Sequence, residues 1–242
     1  MDNKLLRKEQ CPDCAKNNKD LSKDNLAVYS DGQTHCFSCG KHGYVTHTTN
    51  KPIQIKEKDD DSWVHEYRGE FCSLPDRNLR SETLEKYGIK CEKDAEGRVI
   101  KHHYPYYNQK GEMVGMKTRL VDSKKFFCSG NTSSNNMLFG QNLFPAGGKY
   151  ITVLEGEIDA ISSFEAHSSR WPNVSIGVGA QCVANIKANL EWLDSFETVV
   201  ICFDNDEVGR ESALKVAPLL GPNKCKILTL AKYKDVSDYV SN

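Results

Sequence analysis

The sequence lacks net charge: 32 Lys and Arg stand against 33 Asp and Glu, leaving −1 at neutral pH. This excludes a global attraction for a polyanion, so any nucleic-acid contact has to come from local clusters of Lys and Arg. The chain also lacks any run approaching the roughly 18 apolar residues that a membrane-spanning helix needs. It opens on Met1-Asp2-Asn3-Lys4 rather than on an apolar signal segment. No membrane partner is expected. The ten cysteines read as those of a reducing, cytoplasmic protein, where they bind metal or pack, with disulfides the weaker alternative. No internal repeat or low-complexity tract imposes a fibrous or solenoid architecture. What remains is a globular chain of 242 residues, long enough for one large core and a small satellite module.

Residues 1–45 are rich in cysteine and glycine but hold too few aliphatics for a core of their own. They carry Cys11-Pro-Asp-Cys14 and Cys36-Phe-Ser-Cys39, two knuckles that each place two thiolates on one turn. Together these supply the four soft ligands of one structural, tetrahedral zinc ion. Zinc binding is worth on the order of 10 kcal/mol or more and replaces the missing core. His35 and His42 are not needed as ligands, because four cysteines complete the shell. Leu26 to His35 reads as a hairpin turning at Asp31-Gly32. It makes Tyr29, Asp31, Gln33, His35 and Phe37 available to unpaired bases by stacking and edge hydrogen bonds. Asp31, Gln33 and His35 are assigned to template contact. A purely structural zinc module is the competing reading of the ribbon taken alone.

Residues 46–62 form a polar stretch ending in Lys56-Glu-Lys-Asp-Asp-Asp-Ser62, read as a flexible linker. Within 63–148 the pattern predicts a helix at Ser81–Tyr87, with Ser81 as N-cap and Gly88 past its end. Strands follow at Val99–Tyr107, Glu112–Leu120 and Lys125–Cys128. Residues 149–242 alternate apolar strands, at Tyr150–Leu154, Val174–Val178, Thr198–Phe203 and Lys226–Leu230, with helical segments. One helix carries Val183, Ile186, Leu190 and Leu193 on a single face; another carries Ala213, Val216, Ala217 and Leu220. The fold class is α/β, α+β overall: a small four-cysteine ribbon, a linker, and a domain containing a parallel sheet.

Two of the strands end in acids, Leu154-Glu155-Gly156-Glu157-Ile158-Asp159 and Phe203-Asp204-Asn205-Asp206-Glu207-Val208-Gly209-Arg210. In a parallel α/β sheet both sets emerge at the carboxyl edge, where ligands bind. Glu155, Asp159, Asp204 and Asp206 repel one another unless one or two Mg²⁺ ions, or Mn²⁺ in substitution, sit among their hard oxygens. Such a site suits phosphoryl transfer. Taken singly, each acid is more simply a helix cap or a solvated loop residue; two motifs in this order are harder to dismiss.

The Glu155-Gly156 pair and Asp204-x-Asp206-x-x-Gly209 resemble the signature of the TOPRIM fold shared by primases and topoisomerases. With the ribbon, Ser30-Asp31-Gly32 and Lys234-Asp235-Val-Ser-Asp238, nearly the whole chain resembles the primase half of bifunctional primase-helicases from short-tailed phages of the T-seven type. The resemblance implies a DNA primase, a DNA-directed RNA polymerase that makes short RNA primers from ribonucleoside triphosphates on single-stranded DNA. The RNA polymerase domain would comprise an N-terminal subdomain at 63–148 and the TOPRIM subdomain at 149–242. Partners would be the template, the primer, a replicative helicase and a DNA polymerase, in host cytoplasm.

The resemblance also implies that basic residues before TOPRIM hold the triphosphate and primer, here Lys117, Arg119, Lys124 and Lys125, with Lys234 joining them. Asp235 lies beside the metal site, and Glu155 is a metal ligand or the acceptor of the hydroxyl proton. Asp204 and Asp206 are metal ligands, and Asp159 belongs to the catalytic set. Two departures stand out. Gln33 occupies a hairpin position where a family member uses histidine, leaving the template sequence open. No Gly-x-x-x-x-Gly-Lys-Ser/Thr phosphate loop is present, so these residues hold no helicase motor. The competing functions are a TOPRIM nuclease and a non-catalytic recombination mediator resembling RecR.

Overall fold

The computed structural model describes residues 5–17, 23–30, 32–44, 61–133, 135–168, 170–177, 181–221 and 223–242. The chain divides into two compact units, Met1–Ser62 and Trp63–Asn242.

In the first unit, β1 (Leu5–Glu9), α1 (Pro12–Lys16), β2 (Leu26–Tyr29), β3 (Gln33–Cys36) and β4 (His42–Tyr44) follow in order. The strands form one antiparallel sheet in sequence order. The expected hairpin is β2–β3, closed by the Gly32 N–H donating to the Tyr29 carbonyl at 3.0 Å. Asp31 lies outside the described residues, as does most of the expected linker. The linker's last two positions open a 3₁₀ turn at Asp61–Glu66. The core of this unit is a cluster of Cys11, Cys14, Leu26 and Cys36, so thiols occupy the place that aliphatics take in a larger domain.

The second unit begins with a 3₁₀ turn at Pro75–Arg77, then α2 (Ser81–Tyr87), β5 (Lys90–Lys93), β6 (Val99–Tyr107), β7 (Met113–Leu120) and β8 (Phe126–Gly130). The four strands pair antiparallel in sequence order. Helix α2 spans the expected residues, but its N-cap position is Arg80, without a side-chain cap, and Ser81 is already helical. The Ser81 hydroxyl bonds Glu82 instead.

The chain continues as β9 (Gly148–Leu154), α3 (Glu157–Ala166), β10 (Asn173–Ser175), α4 (Cys182–Ala188), α5 (Leu190–Asp194), β11 (Phe196–Cys202), α6 (Glu207–Val216), β12 (Cys225–Ile227) and α7 (Val236–Ser241). The sheet order is β10-β9-β11-β12, and every pairing is parallel. Alternate residues of β9 bury on opposite faces: Ile151 and Val153 against α4, α5 and α6, and Leu154 against α3, α7 and the antiparallel sheet. A parallel sheet covered on both faces needs such apolar strands.

The helix expected across Val183 to Leu193 is two helices. Asn189 has left the helical region, at φ −116° and ψ 15°. Its amide donates to the Asn185 and Asn136 carbonyls and its Oδ1 accepts from Gln109, bonds that compete with continuing the helix. Likewise α6 ends at Val216, and Ala217–Leu220, which includes Pro218, is a 3₁₀ turn. Among the described residues no helix is long and apolar enough to cross a membrane.

Candidate active site and metal centre

In the first unit the four knuckle cysteines converge. Cys11 and Cys39 Sγ lie 3.8 Å apart, Cys14 and Cys36 Sγ 3.7 Å apart, and all four sulfurs fall within 4.8 Å of one another. Tetrahedral zinc with Zn–S bonds near 2.3 Å needs sulfurs about 3.8 Å apart, so these thiols fit that ion. Cys11 is the N-cap of short α1 and Cys14 lies within it, while Cys36 ends β3 and Cys39 lies in the turn that follows.

On the outer face of this sheet one cross-strand row runs Lys8, Ala27, His35 and His42. His35 stacks on His42 at 4.3 Å and meets the edge of Phe37 at 4.9 Å. Burial, then the neighbouring His42, pulls the His35 pKa down to about 4, so it is neutral at pH 7. Lys8 sits 5.4 Å from the half-exposed Phe37 ring. Gln33, two residues before His35, is exposed.

In the second unit a cavity of about 740 Å³ opens between the carboxyl edge of the parallel sheet and the inner face of the antiparallel one. Its acidic wall holds Glu155, Asp159, Asp204 and Asp235; Lys117, Arg119, Lys124 and Lys234 line it as well. Glu155 follows β9, and its Oε2 is buried without a hydrogen-bond partner. Burial and then the Asp204 charge push its pKa up. Asp204 follows β11 and is also raised, by burial and by Asp235 and Asp206, against the pull of Lys234, whose Nζ lies 3.4 Å from Asp204 Oδ2. A buried, unpartnered carboxylate oxygen facing a second acid is what a divalent cation with hard oxygen ligands relieves, so the donor set fits one.

Two glycines set this geometry. A Cβ on Gly209 in α6 would lie 2.1 Å from the Asp204 carbonyl oxygen, and one on Gly156 would lie 2.6 Å from Asp159 Oδ2. Gly209 thus lets the start of α6 press against the backbone that presents Asp204, while Gly156 leaves room for the Asp159 carboxylate of its own helix.

Other expected site residues behave differently. Asp206 does not line the cavity; it is the N-cap of α6, its Oδ1 accepting from the Gly209 N–H at 2.8 Å. It acts on Glu155 and Asp204 through its charge. Asp159 accepts from the Ser237 N–H at 2.9 Å, and burial followed by Asp235 pushes it up to about 8. Asp235 caps α7 through the Asp238 N–H. The four expected acids therefore do not close into one tight cluster. Among the described residues, the cysteines are the only such set within ligand distance. Lys125 is exposed in the turn before β8 and does not line the cavity.

The register of β6, β7 and β8 places Tyr104 beside Lys117 and Phe126 beside Arg119, all on the cavity face. Lys117 is buried. Its Nζ lies 3.0 Å from Glu157 Oε1 and donates to the Gly177 carbonyl at 2.7 Å, while Tyr106 donates to the same carboxylate. Among the described residues no carboxylate pairs with Arg119 or Lys124. Glu157, Tyr106 and Phe126, and Asp76 and Arg77 at the rim, were not singled out from sequence. Only Glu157 carried a signal, its place in the Glu-Gly-Glu run.

A family profile described as Toprim-like matches residues 152–240. The DNA helicase/primase of Enterobacteria phage T3 is 30% identical over 218 residues, which cover 86% of this chain and 38% of that protein. The chain thus spans well under half the length of that relative. Among solved structures, the primase fragment of the bacteriophage T7 primase-helicase superposes with a TM-score of 0.63 at 28% identity, covering 97% of this chain and 94% of that one. A second match comes from an assembly of the bacteriophage T7 lagging-strand DNA polymerase with primase domains bound to an RNA/DNA hybrid and dTTP. It has a TM-score of 0.61 at 33% identity, covering 69% and 83% of the two chains.

Proposed function

Because this chain belongs to the phage family of TOPRIM DNA primases, we propose that it synthesises short RNA primers on single-stranded DNA from ribonucleoside triphosphates. The observation that carries this reading is the cavity in which Glu155, with its unpartnered buried oxygen, and Asp204 share the space with Arg119 and Lys124. Acids that call for a cation and cations that no acid among the described residues pairs with are the two halves of a nucleotidyl-transfer site.

Glu155 and Asp204 are the residues that would hold Mg²⁺, or Mn²⁺, with Asp206 contributing its charge from the α6 cap. When bound, the metal supplies charge neutralisation at the α-phosphate and lowers the pKa of the attacking ribose 3′-hydroxyl. Arg119 and Lys124 orient the triphosphate, and Lys117, clamped by Glu157, fixes a positive charge at the cavity wall. Asp159 holds the start of α7 by accepting from the Ser237 N–H. In the zinc-binding unit, Gln33 and His35, with Asp31, read the template. A helicase, named together with the primase in the phage T3 relative, and the DNA polymerase seen with the bacteriophage T7 primase domains are the partners this reading implies, in host cytoplasm.

The test incubates the zinc-loaded chain with varied single-stranded oligonucleotides, labelled ribonucleotides and Mg²⁺ and sizes the products, with Asp204→Asn as control. Short template-dependent oligoribonucleotides, lost in the variant, are expected. Shortening of the template instead identifies a nuclease, and binding without chemistry a mediator.

A further inference from the structure

The cavity contains one feature that metal and phosphate chemistry leave unused. Phe126 is 48% exposed although it lines a cavity rich in charged side chains. It lies on the edge strand β8, directly across from Arg119. The Lys117 ammonium lies 4.4 Å and the Arg119 guanidinium 5.7 Å from its ring centroid. Lys117 is itself tied to Glu157 and Gly177, so the ring rests on a fixed cation while about half of the residue stays exposed. Cation–π contact of this kind orients a ring without covering it.

An aromatic ring left half in water among charges has apolar area to lose to a flat, apolar-faced ligand, and a nucleobase is such a group whatever its sequence identity. We propose that Phe126 is a base-stacking platform, taking the base of a nucleotide whose phosphates lie against Arg119 and Lys124. The inference rests on the primase reading and adds where the base goes. The neighbouring Phe127 provides an internal comparison. It is 54% exposed but points to the opposite face of β8, across from Thr118, and does not line the cavity.

The experiment compares Phe126→Ala, Phe126→Leu, Phe126→Trp and Phe127→Ala in the full zinc-loaded chain. It measures KM for ribonucleotides in primer synthesis and, for Phe126→Trp, the indole emission gained over the parent, in which Trp63, Trp171 and Trp192 set the background. A stacked base contributes about 1–3 kcal/mol, so the Ala and Leu variants at 126 should raise KM by about five- to 150-fold. Leu keeps the apolar bulk and removes only the π face. Phe126→Trp should keep a near-parental KM and show quenching by ATP or UTP but not by inorganic tripolyphosphate, which has phosphates and no base. Phe127→Ala should leave KM unchanged.

A parental KM in Phe126→Leu, or equal quenching by tripolyphosphate, overturns the platform while leaving primer synthesis by the parent intact. Base-dependent quenching in a chain that makes no primers keeps the platform and removes the primase reading. Absence of both removes both.

Discussion

Replacing Gly209 by alanine sets two effects of known size against each other. Gly209 lies in the first turn of α6 with an ordinary helical backbone, so intrinsic propensity alone would make Gly209→Ala stabilising by about 1 kcal/mol. The added Cβ, however, would sit 2.1 Å from the Asp204 carbonyl oxygen, 2.9 Å from its carbonyl carbon and 3.0 Å from its nitrogen. These are backbone atoms and cannot rotate away. Ordinary contact near 3.5 Å requires the helix start and the β11 exit to separate by roughly 1.4 Å, an overpacking that costs about 1–3 kcal/mol. The clash wins. The displaced segment carries Asp204 itself and the Asp206 cap on the Gly209 N–H. A 1 Å misplacement of a reacting group costs up to about 10²-fold in rate. The expected outcome is a chain less stable by up to about 2 kcal/mol net in urea unfolding of the Trp63–Asn242 unit, and slower in primer synthesis by a factor of tens to a hundred at saturating ribonucleotide. A variant at least as stable and as fast as the parent would refute the argument that close approach, not flexibility, places glycine there.

Chelating zinc from the full chain should collapse the amide dispersion of Leu26 to Cys36 and leave the unfolding transition of Trp63–Asn242 in place, because the first unit's core is its thiols; dispersion that survives metal removal counts against it. Lys117→Met should cost about 3–5 kcal/mol by stranding the buried Glu157 carboxylate, and the double variant with Glu157→Gln should recover part of that loss in a thermodynamic cycle; strict additivity would mean the pair is not coupled. Burial, then Arg119 and Arg77, lowers the pKa of buried His102 from 6.5 to about 4. The folded state therefore binds fewer protons than the unfolded chain between those values, and its stability falls as pH drops from 6.5 to 4, by about 3 kcal/mol. His102→Gln should flatten that part of the pH–stability curve, and an unchanged slope would assign the acid loss elsewhere.

Much of this molecule is written in short stretches of chain. The spacing within Cys11–Cys14 and Cys36–Cys39 fixes two ligands per turn whatever surrounds them. The apolar runs ending at Glu155 and Asp204 dictate that both acids leave the same edge of a parallel sheet, because β9 and β11 pair parallel and in register. These are periodic or adjacent signals, and the strand positions inferred from them shift by only a few residues in the structure. Ser81 and the interrupted helix at Asn189 differ because a cap or a break depends on which distant carbonyls and amides are within reach, as Asn136 and Gln109 are for Asn189.

The chemistry of the cavity walls was settled at longer range. Lys117 meets Glu157 across 40 positions and Gly177 across 60, and Phe126 faces Arg119 only through the β7–β8 register. The acids divide in the same way. Their residue types and order are sequence properties, but Asp206 became a helix cap, Asp159 a buried partner of Ser237, and Glu155 the acid with an unsatisfied oxygen. Charge and hydrogen bonding act through space at a few ångströms, so the sequence by itself determined which groups the site could use, and only the packing of the two sheets and α7 decided which of them are paired and which are left for a ligand.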